Sequence, residues 1–550
     1  MIKRFLNSQS KSISSASLIL AASYIGSALL GLFRDRLLAG TFGAGNELDV
    51  YYAAFTVPDF VALILIFGAI SAAVIPIFSS YLMSSKEEAW DYASVFLNIF
   101  LGFLILVCAI LIIFTPYFLS LVAPGFSGEK KELAVQLTRI MFLSPIILGA
   151  SNIISGILQV FHRFLVTALA PLMYNLGIII GILFFYPLLG LKGLAWGVVL
   201  GGVMHLLIQL PALFFSGFKY KADFNYRHPG VKKTLHLMVP RSLGLGAGQL
   251  NTIAITAIAS TLAAGSIAIF NLANNLASMM INAIAVSMST AAFPSMSMDF
   301  LQSKEEKFLR KFSGVFRQTI FLTIPISILI LILRAQIVRV ILGAGRFTWL
   351  DTRLTIACLG ILAASLFAQG LIFILSKTFY AAHNTRIPAV VSAGTVAFNI
   401  ILSLLLVWLI NTSDKFSLFV QSVFRLENVA NIGVVGLAAS FSVTAILEAV
   451  LLVYLLYKKF PNLKIDEITD SLYKIIIASA VMAVATFFAR QLLVYLGLIQ
   501  LETFWEVFLQ LAFSGGVGVI TYIVVSYLLK SSEMKLIFDS FLRRFIYPEK

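Results

Sequence analysis

The sequence contains few charged residues and little cysteine. Asp, Glu, Lys and Arg make up 12% of its 550 residues, whereas hydrophobic residues make up 60%. A soluble globule of this size needs a larger charged surface, so that class of protein is excluded. The two cysteines, Cys108 and Cys358, lie within apolar segments and lack metal-ligand spacing. We therefore expect neither a disulfide nor a metal site.

Sequence patterns for nucleotide binding and covalent chemistry are also missing. The chain has no phosphate-binding Walker A motif, no cluster of metal ligands and no arrangement of a nucleophile with a base. The loops between apolar segments are too short for a nucleotide-binding domain. We therefore expect a protein that is not an enzyme and that binds no cofactor.

Long apolar runs fill the chain instead, for example residues 96–114 and 320–333. Strands of a membrane barrel would alternate apolar and polar residues, whereas these runs are continuous. The runs, bounded by Gly, Pro and charge clusters, predict an all-α polytopic membrane protein with about fourteen spans. The approximate spans are 14–38, 49–82, 89–121, 131–160, 165–188, 193–216, 233–262, 265–300, 308–335, 351–381, 387–411, 431–457, 469–496 and 503–530.

Basic residues exceed acidic ones, with a formal net charge of +15. They concentrate in alternate loops, which are cytoplasmic by the positive-inside rule, so both termini are predicted to be cytoplasmic. This distribution accounts for the charge without a nucleic-acid partner. Near the ninth predicted outer loop, however, several arginines run against the rule: Arg334, Arg339, Arg346 and Arg353.

One segment occurs twice in the chain. AVIPIFSSYLMSSKEE at residues 73–88 returns as AAFPSMSMDFLQSKEE at 291–306, and the fifth and sixth spans also echo the eleventh and twelfth. Two repeats of six spans each are parallel, because six is even. We predict lobes at 1–217 and 233–457, a basic linker at 218–232, and two extra helices with a tail at 458–550. Such doubling is typical of a transporter with its substrate between two lobes.

Polar residues collect in the first two spans of each lobe, where a charge costs about 2.5–3.5 kcal/mol to insert. We expect them to line one cavity. Arg34 could alternatively snorkel to the interface or pair with Asp49, and Asp59 is either a counter-ion or proton carrier or an internal cap. The candidate residues are Arg34, Asp35, Asp49 and Asp59 in the first lobe and Arg241, Asn251, Asn271, Asn274 and Asn275 in the second.

The stretch GLFRDRLLAGTFGAGNELDVYYAAFTVPDF at residues 31–60 resembles the MurJ (MviN) family of lipid II flippases. That family belongs to the multidrug/oligosaccharidyl-lipid/polysaccharide exporter superfamily. GRFTWLD at 345–351 and KTFYAAHNTRIP at 377–388 extend the resemblance over nearly the whole chain. By this resemblance, spans one, two, seven and eight line the cavity, and spans thirteen and fourteen form a groove for the lipid tail.

The resemblance also carries over to individual residues. Arg34, Asp35 and Asp49 match charged family positions, whereas Gly31, Gly43 and Pro58 match structural ones. We hypothesise that Arg34 and Arg241 bind phosphate and that the asparagines bind sugar or peptide groups. The chain departs from the family pattern, which has charged residues, at Ala28, Ala62, Phe67, Asn274 and Asn275.

The implied function is translocation of lipid II, the lipid-linked precursor of peptidoglycan, across the bacterial cytoplasmic membrane. Alternating access driven by the membrane potential or a monovalent cation is expected, with membrane lipids and cell-wall enzymes as further partners. One alternative is a flippase for another lipid-linked oligosaccharide or a multidrug exporter of the same fold. Another is a membrane scaffold for cell-wall enzymes that transports nothing.

Overall fold

The structure, a computed structural model, describes residues 13–67, 74–429 and 431–535. The side chains of residues 13–21, 67, 239–247, 280, 282 and 283 lie outside this description. The chain divides into two compact units, Met1–Ala268 and Ile269–Lys550. Every regular element within the described ranges is helical, which confirms the predicted all-α class.

The first unit is built from helices whose ends follow local signals. The Ser85 side chain accepts hydrogen bonds from the Glu87 and Glu88 amides and so caps the helix that begins at Lys86. The helices are α1 (Ile13–Phe42), α2 (Asn46–Val61), α3 (Ile75–Ser84), α4 (Lys86–Ile113), α5 (Thr115–Val122), α6 (Gly128–Met141), α7 (Leu143–Val160), α8 (Phe164–Ile180), α9 (Tyr186–Leu189), α10 (Leu191–Leu207), α11 (Leu210–Phe215) and α12 (Pro229–Ser260). π-Helical turns follow α2 at Ala62–Phe67 and α8 at Gly181–Phe185.

The second unit begins at Ile269 and includes the C-terminal helices. A capping box between Thr348 and Asp351 starts one long helix, and a second box between Thr503 and Glu506 starts the last. The helices are α13 (Ser266–Ile281), α14 (Ser287–Leu301), α15 (Glu305–Ile341), α16 (Trp349–Ala381), α17 (Arg386–Thr412), α18 (Asp414–Phe424), α19 (Gly433–Lys459), α20 (Ile465–Tyr495) and α21 (Phe504–Leu528).

Membrane-crossing helices dominate both units. In the described part of the chain, 11 helices are long and apolar enough to cross a membrane, or 12 if the bent pair α13 and α14 forms one span. The chain is therefore a multi-pass membrane protein. α1 and α12 are 30 and 32 residues long, but both include side chains outside the description. The count of fourteen spans stays a prediction.

Both copies of the repeated segment lie where one helix ends and the next begins. In the first copy α3 ends and α4 begins at Lys86, and in the second α14 ends and α15 begins at Glu305. The shared Lys-Glu-Glu sequence places two acidic residues in the first turn of each following helix. Negative charge there is stabilised by the helix dipole. The repeat thus marks the same structural junction in each unit.

Backbone-to-backbone packing joins α10 to α8 and to the π-helical turn after α8. Gly193, Gly197 and Gly201 lie four residues apart on α10 and face Gly177 and Gly181. A Cβ atom at Gly197 would lie 2.6 Å from Gly181 Cα, and one at Gly177 would lie 2.3 Å from Gly201 Cα. These distances are shorter than van der Waals contact, so only glycine allows the two helices to approach this closely.

Polar as well as apolar contacts fix the two C-terminal helices to α15. Gln336 Nε2 donates to Gln510 Oε1 at 2.8 Å, and Gln510 Nε2 donates to the Arg490 carbonyl at 2.9 Å. The Tyr522 hydroxyl donates to the Phe321 carbonyl at 2.7 Å. Lipid offers no replacement partners for such groups, so these bonds hold α20 and α21 to each other and to α15.

The compact units do not follow the predicted lobes. α12, the predicted seventh span, belongs to the first unit because it packs on α2 and on the Ala62–Phe67 turn. Near the start of α12, the Thr234 hydroxyl lies 2.7 Å from the Tyr92 hydroxyl of α4. The predicted lobes describe the internal repeat, whereas the units describe packing. The lobe boundaries therefore stay a prediction.

Gly197→Ala is expected to lower the melting temperature of the detergent-purified protein by several degrees. The new methyl group would meet the Gly181 backbone, which cannot rotate away, and overpacking of this kind costs about 1–3 kcal/mol. Gly102→Ala in α4 is the matched control, because a Cβ atom there meets nothing within 4 Å. Equal loss of stability in the two variants would contradict close packing at Gly197.

Candidate substrate-binding site

Arg34, on α1, forms a three-residue polar group inside the first unit. Its Nε and Nη2 atoms donate to Asp35 Oδ1 at 3.0 and 2.8 Å, and its Nη1 atom donates to Asn175 Oδ1 at 3.1 Å. The Asp35 side chain is 4% exposed and the Arg34 side chain 23% exposed. The carboxylate is thus enclosed, whereas part of the guanidinium stays accessible.

Asn175 holds the guanidinium from α8. Its amide nitrogen donates to Ser27 Oγ at 3.2 Å, and to the carbonyls of Ser27 and Pro171 at 3.4 and 3.3 Å. These bonds orient the amide oxygen toward Arg34. Sequence analysis did not select Asn175, because a single asparagine in an apolar span carries no pattern that reveals its partner.

Two tyrosines of α2 lie near Arg34 and were also missed. Tyr51 and Tyr52 are close enough to interact electrostatically with the guanidinium. The Tyr52 hydroxyl is buried and has no hydrogen-bond partner within the described residues. The two adjacent tyrosines within residues 31–60 were the sequence feature that could have indicated them. The region around Arg34 therefore contains a cation, a carboxylate, an amide and two phenols.

Asp49 lies at the start of α2 and does not pair with Arg34. Its Oδ2 accepts from the Gly265 amide at 2.7 Å, and its Oδ1 accepts from the Ala268 amide at 2.9 Å. Lys130 Nζ lies 3.6 Å from Oδ2. A carboxylate that accepts amide hydrogen bonds at the start of α13 stabilises that helix terminus. This geometry indicates a structural role for Asp49, and contact with substrate stays a prediction.

Close backbone contacts reinforce the region around Asp49. Gly265 adopts a left-handed φ of +91°, and a Cβ atom there would lie 2.0 Å from the Ala44 carbonyl oxygen. The Gly125 amide donates to Ser260 Oγ at 3.0 Å. Lys130 also donates to Asn46 Oδ1 at 2.8 Å. The connection between α12 and α13 is therefore fixed to α2 and to the loop before α6.

Asp59 lies one turn before the π-helical turn that follows α2. Its side chain is exposed, and Gln249 of α12 donates to its Oδ2 at 3.4 Å. Pro58 beside it is buried within α2. The long bond to Gln249 leaves the carboxylate accessible. The roles predicted for Asp59, as a counter-ion, a proton carrier or an internal cap, stay predictions.

The remaining candidates lie on α12 and α13. Asn251 is half-buried on α12, in the first unit. Asn271, Asn274 and Asn275 are half-buried on α13, in the second unit, at a spacing that places them on one helix face. Arg241 belongs to α12, but its side chain lies outside the described residues. Roles for all five in substrate binding stay predictions.

The predicted structural residues differ in what surrounds them. Gly43 has a left-handed φ of +65° between α1 and α2, a conformation that glycine adopts without strain. Gly31 lies within α1, and a Cβ atom there would meet nothing within 4 Å. The left-handed backbone conformation therefore accounts for glycine at Gly43, whereas nothing in the structure explains a requirement for glycine at Gly31.

Comparison with known proteins places the chain in a family. A family model described as "Lipid II flippase MurJ" matches residues 38–504. The chain belongs to the MurJ family. Among MurJ relatives, the probable lipid II flippase MurJ of Buchnera aphidicola subsp. Schizaphis graminum is 29% identical over 512 residues, 92% of this chain and 94% of the relative. The probable lipid II flippase MurJ of Thermotoga maritima is 28% identical over 510 residues, 92% and 95% of the two chains.

Solved structures share the MurJ fold. A structure titled "Lipid II flippase MurJ, inward closed conformation" aligns with a TM-score of 0.72 at 24% identity, over 93% of this chain and 98% of the other. An inward-facing multidrug resistance transporter of the MATE family aligns with a TM-score of 0.63 at 16% identity, over 81% and 99% of the two chains. This similarity confirms the fold.

Asp49→Ala is expected to lower the melting temperature of the purified protein by several degrees. Two backbone amides lose their acceptor, and each unsatisfied buried group costs about 1–3 kcal/mol. Asp91→Ala is the control, because Asp91 makes an exposed ion pair with Lys221 that contributes little. An Asp49→Ala protein that loses transport while melting like its parent would contradict the capping role.

Proposed function

We propose that this protein translocates lipid II from the inner to the outer leaflet of the bacterial cytoplasmic membrane by alternating access. The observation that carries the proposal is membership of the MurJ family over residues 38–504. The relatives that align over more than nine-tenths of the chain are themselves named probable lipid II flippases. The protein acts as a transporter, supplying peptidoglycan synthesis with its precursor.

Arg34 supports a role in binding the diphosphate of that substrate. A guanidinium has five N–H donors. Three atoms, Nε, Nη1 and Nη2, already donate to Asp35 and Asn175, which fix the plane of the group. Two donors remain on a side chain that is partly accessible. A guanidinium held in this way can donate to phosphate oxygens at little entropic cost.

The proposal needs a second cation, because Asp35 offsets much of the charge of Arg34. Arg241, which follows Pro240 in α12, is assigned this role. The asparagines of α13 are assigned to polar groups of the sugar or peptide, since amides both donate and accept hydrogen bonds. The polyprenyl tail needs no polar partner and can remain in lipid.

The driving force in this proposal is the membrane potential or a gradient of a monovalent cation, without a bound cofactor. We place both termini in the cytoplasm, from the distribution of Lys and Arg among the loops. Membrane lipids are direct partners of the exposed apolar side chains on the spans. Cell-wall enzymes that consume the flipped lipid are proposed as further partners.

A different lipid-linked oligosaccharide, or a drug, is the second candidate substrate. It is favoured by the family resemblance, which implies charged residues at the positions that hold Ala28, Ala62 and the Asn274–Asn275 pair in this chain. A scaffold without transport activity is the third candidate. The three candidates predict different growth of cells that express the parent protein or the arginine variants described below.

Complementation tests the proposal. The chain is expressed in cells depleted of their own lipid II flippase, and growth is compared for the parent, Arg34→Ala and Arg241→Ala. We expect the parent to restore growth and each arginine variant to fail, because each loses a phosphate contact. Failure of a parent protein that is correctly inserted in the membrane favours another substrate. Growth supported by a protein that carries both Arg34→Ala and Arg241→Ala would contradict the roles of both arginines.

Matched variants separate substrate binding from pairing with Asp35. In the double variant Arg34→Gln with Asp35→Asn, neither charge is left unpaired, so stability should be close to that of the parent while growth still fails. Arg139→Gln removes an exposed arginine of α6 and should support normal growth. Membrane levels of each variant are measured by immunoblot. Restored growth with Arg34→Gln and Asp35→Asn combined would indicate that Arg34 serves only to pair with Asp35.

A further inference from the structure

The arginines that oppose the positive-inside rule occupy the C-terminal part of α15, the loop after it and the start of α16. Some bind neighbouring groups: Arg339 Nη2 donates to the Leu501 carbonyl at 2.6 Å, and Arg353 Nη2 lies 3.5 Å from Glu427 Oε2. Arg334 is different, because it lines a cavity. None of these contacts belongs to the substrate site proposed above.

The cavity has a volume of about 520 Å³ and lies wholly within the second unit, among α15–α19. Its walls are apolar apart from Arg334 and Ser442, and Ser442 Oγ already donates to the Ile361 carbonyl at 3.0 Å. A volume of this size is typical of small-molecule sites. The walls include Leu406 and Ile410 of α17 and Phe416 of α18.

The cavity opens at the apolar surface of the unit. Val423 of α18 and Val443 of α19 line it and are 52% and 49% exposed. α17 and α19 are membrane-spanning helices, and the 11-residue helix α18 lies between them in the chain. Exposed apolar side chains on spans contact lipid, so a lipid chain can enter from the membrane.

Arg334 gives this apolar cavity a positive charge without a countercharge. Its Nη1 donates to the Leu331 carbonyl at 2.7 Å, and no carboxylate of the described residues lies within ion-pair distance. Arg425 and Arg490 are close enough to interact with it electrostatically. Gly360 leaves room for the side chain, since a Cβ atom there would lie 2.8 Å from Arg334 Cδ. A cation at this position favours an anionic ligand.

We propose that this cavity binds an anionic phospholipid, with one acyl chain among the apolar walls and the phosphodiester on the Arg334 guanidinium. The fields of Arg425 and Arg490 disfavour a headgroup that carries its own ammonium, so phosphatidylglycerol binds in preference to phosphatidylcholine. The site is formed by the second unit alone, and its occupancy does not depend on the identity of the transported substrate.

Native mass spectrometry of the full-length protein tests this site. The delipidated protein is titrated with phosphatidylglycerol or phosphatidylcholine, and the population that retains one lipid is measured. Arg334→Gln should weaken phosphatidylglycerol binding by roughly tenfold or more, because a charge-assisted hydrogen bond is lost. Ala364→Phe should abolish binding of either lipid, because Ala364 lines the cavity and is exposed, so phenylalanine fills it.

Arg346→Gln is the matched control, since it removes an exposed arginine from the loop after α15, and Arg346 does not line the cavity. It should bind phosphatidylglycerol like the parent. Arg334→Lys keeps the charge and should retain most of the affinity, so it separates the effect of the charge from the loss of the arginine side chain. If Arg334→Gln does not fold, Ala364→Phe still tests the cavity. Equal affinities of the parent for the two lipids would overturn the proposal. Unchanged binding by Arg334→Gln or by Ala364→Phe would do the same.

Discussion

The need to satisfy polar groups inside a hydrocarbon environment determines much of this structure. Water cannot supply the missing bond there, so an amide, hydroxyl or charge in a span is stabilised by a partner in the protein. Arg34 finds Asp35 and Asn175, and Gln336 finds Gln510. The same requirement limits how the helices can be arranged, because each pair of partners must face each other.

The all-α class, the membrane spans and the repeat could be predicted because their signals are continuous along the chain. Apolar runs of span length and a recurring segment need no knowledge of distant contacts. The surroundings of Arg34 could not be predicted in the same way, since Asn175 lies 141 positions away. Asp49 is a harder case still, because its partners are backbone amides near Gly265, and amides leave no trace in a sequence. The family resemblance selected Asp49 but did not indicate what it binds.

Corresponding positions in the two repeats carry the same residue in different surroundings. Asn175 and Asn399 end the two echoed segments of the fifth and eleventh spans. Asn175 accepts from a guanidinium, whereas Asn399 is fully buried and accepts from Ser403 and Thr444 hydroxyls at 3.5 Å. The repeat therefore conserves the frame, and the neighbours of each asparagine give it a different task. The repeat alone therefore does not predict what each asparagine binds.

The hydrogen bond between Gln336 and Gln510 has a consequence for how the chain can evolve. An apolar replacement of either glutamine leaves the other amide without its partner inside the membrane, which is costlier than replacing both. A protein with a single mutation at either position is therefore less stable than one in which both glutamines are exchanged together. Substitutions at Gln336 of α15 and Gln510 of α21 are therefore expected to occur together.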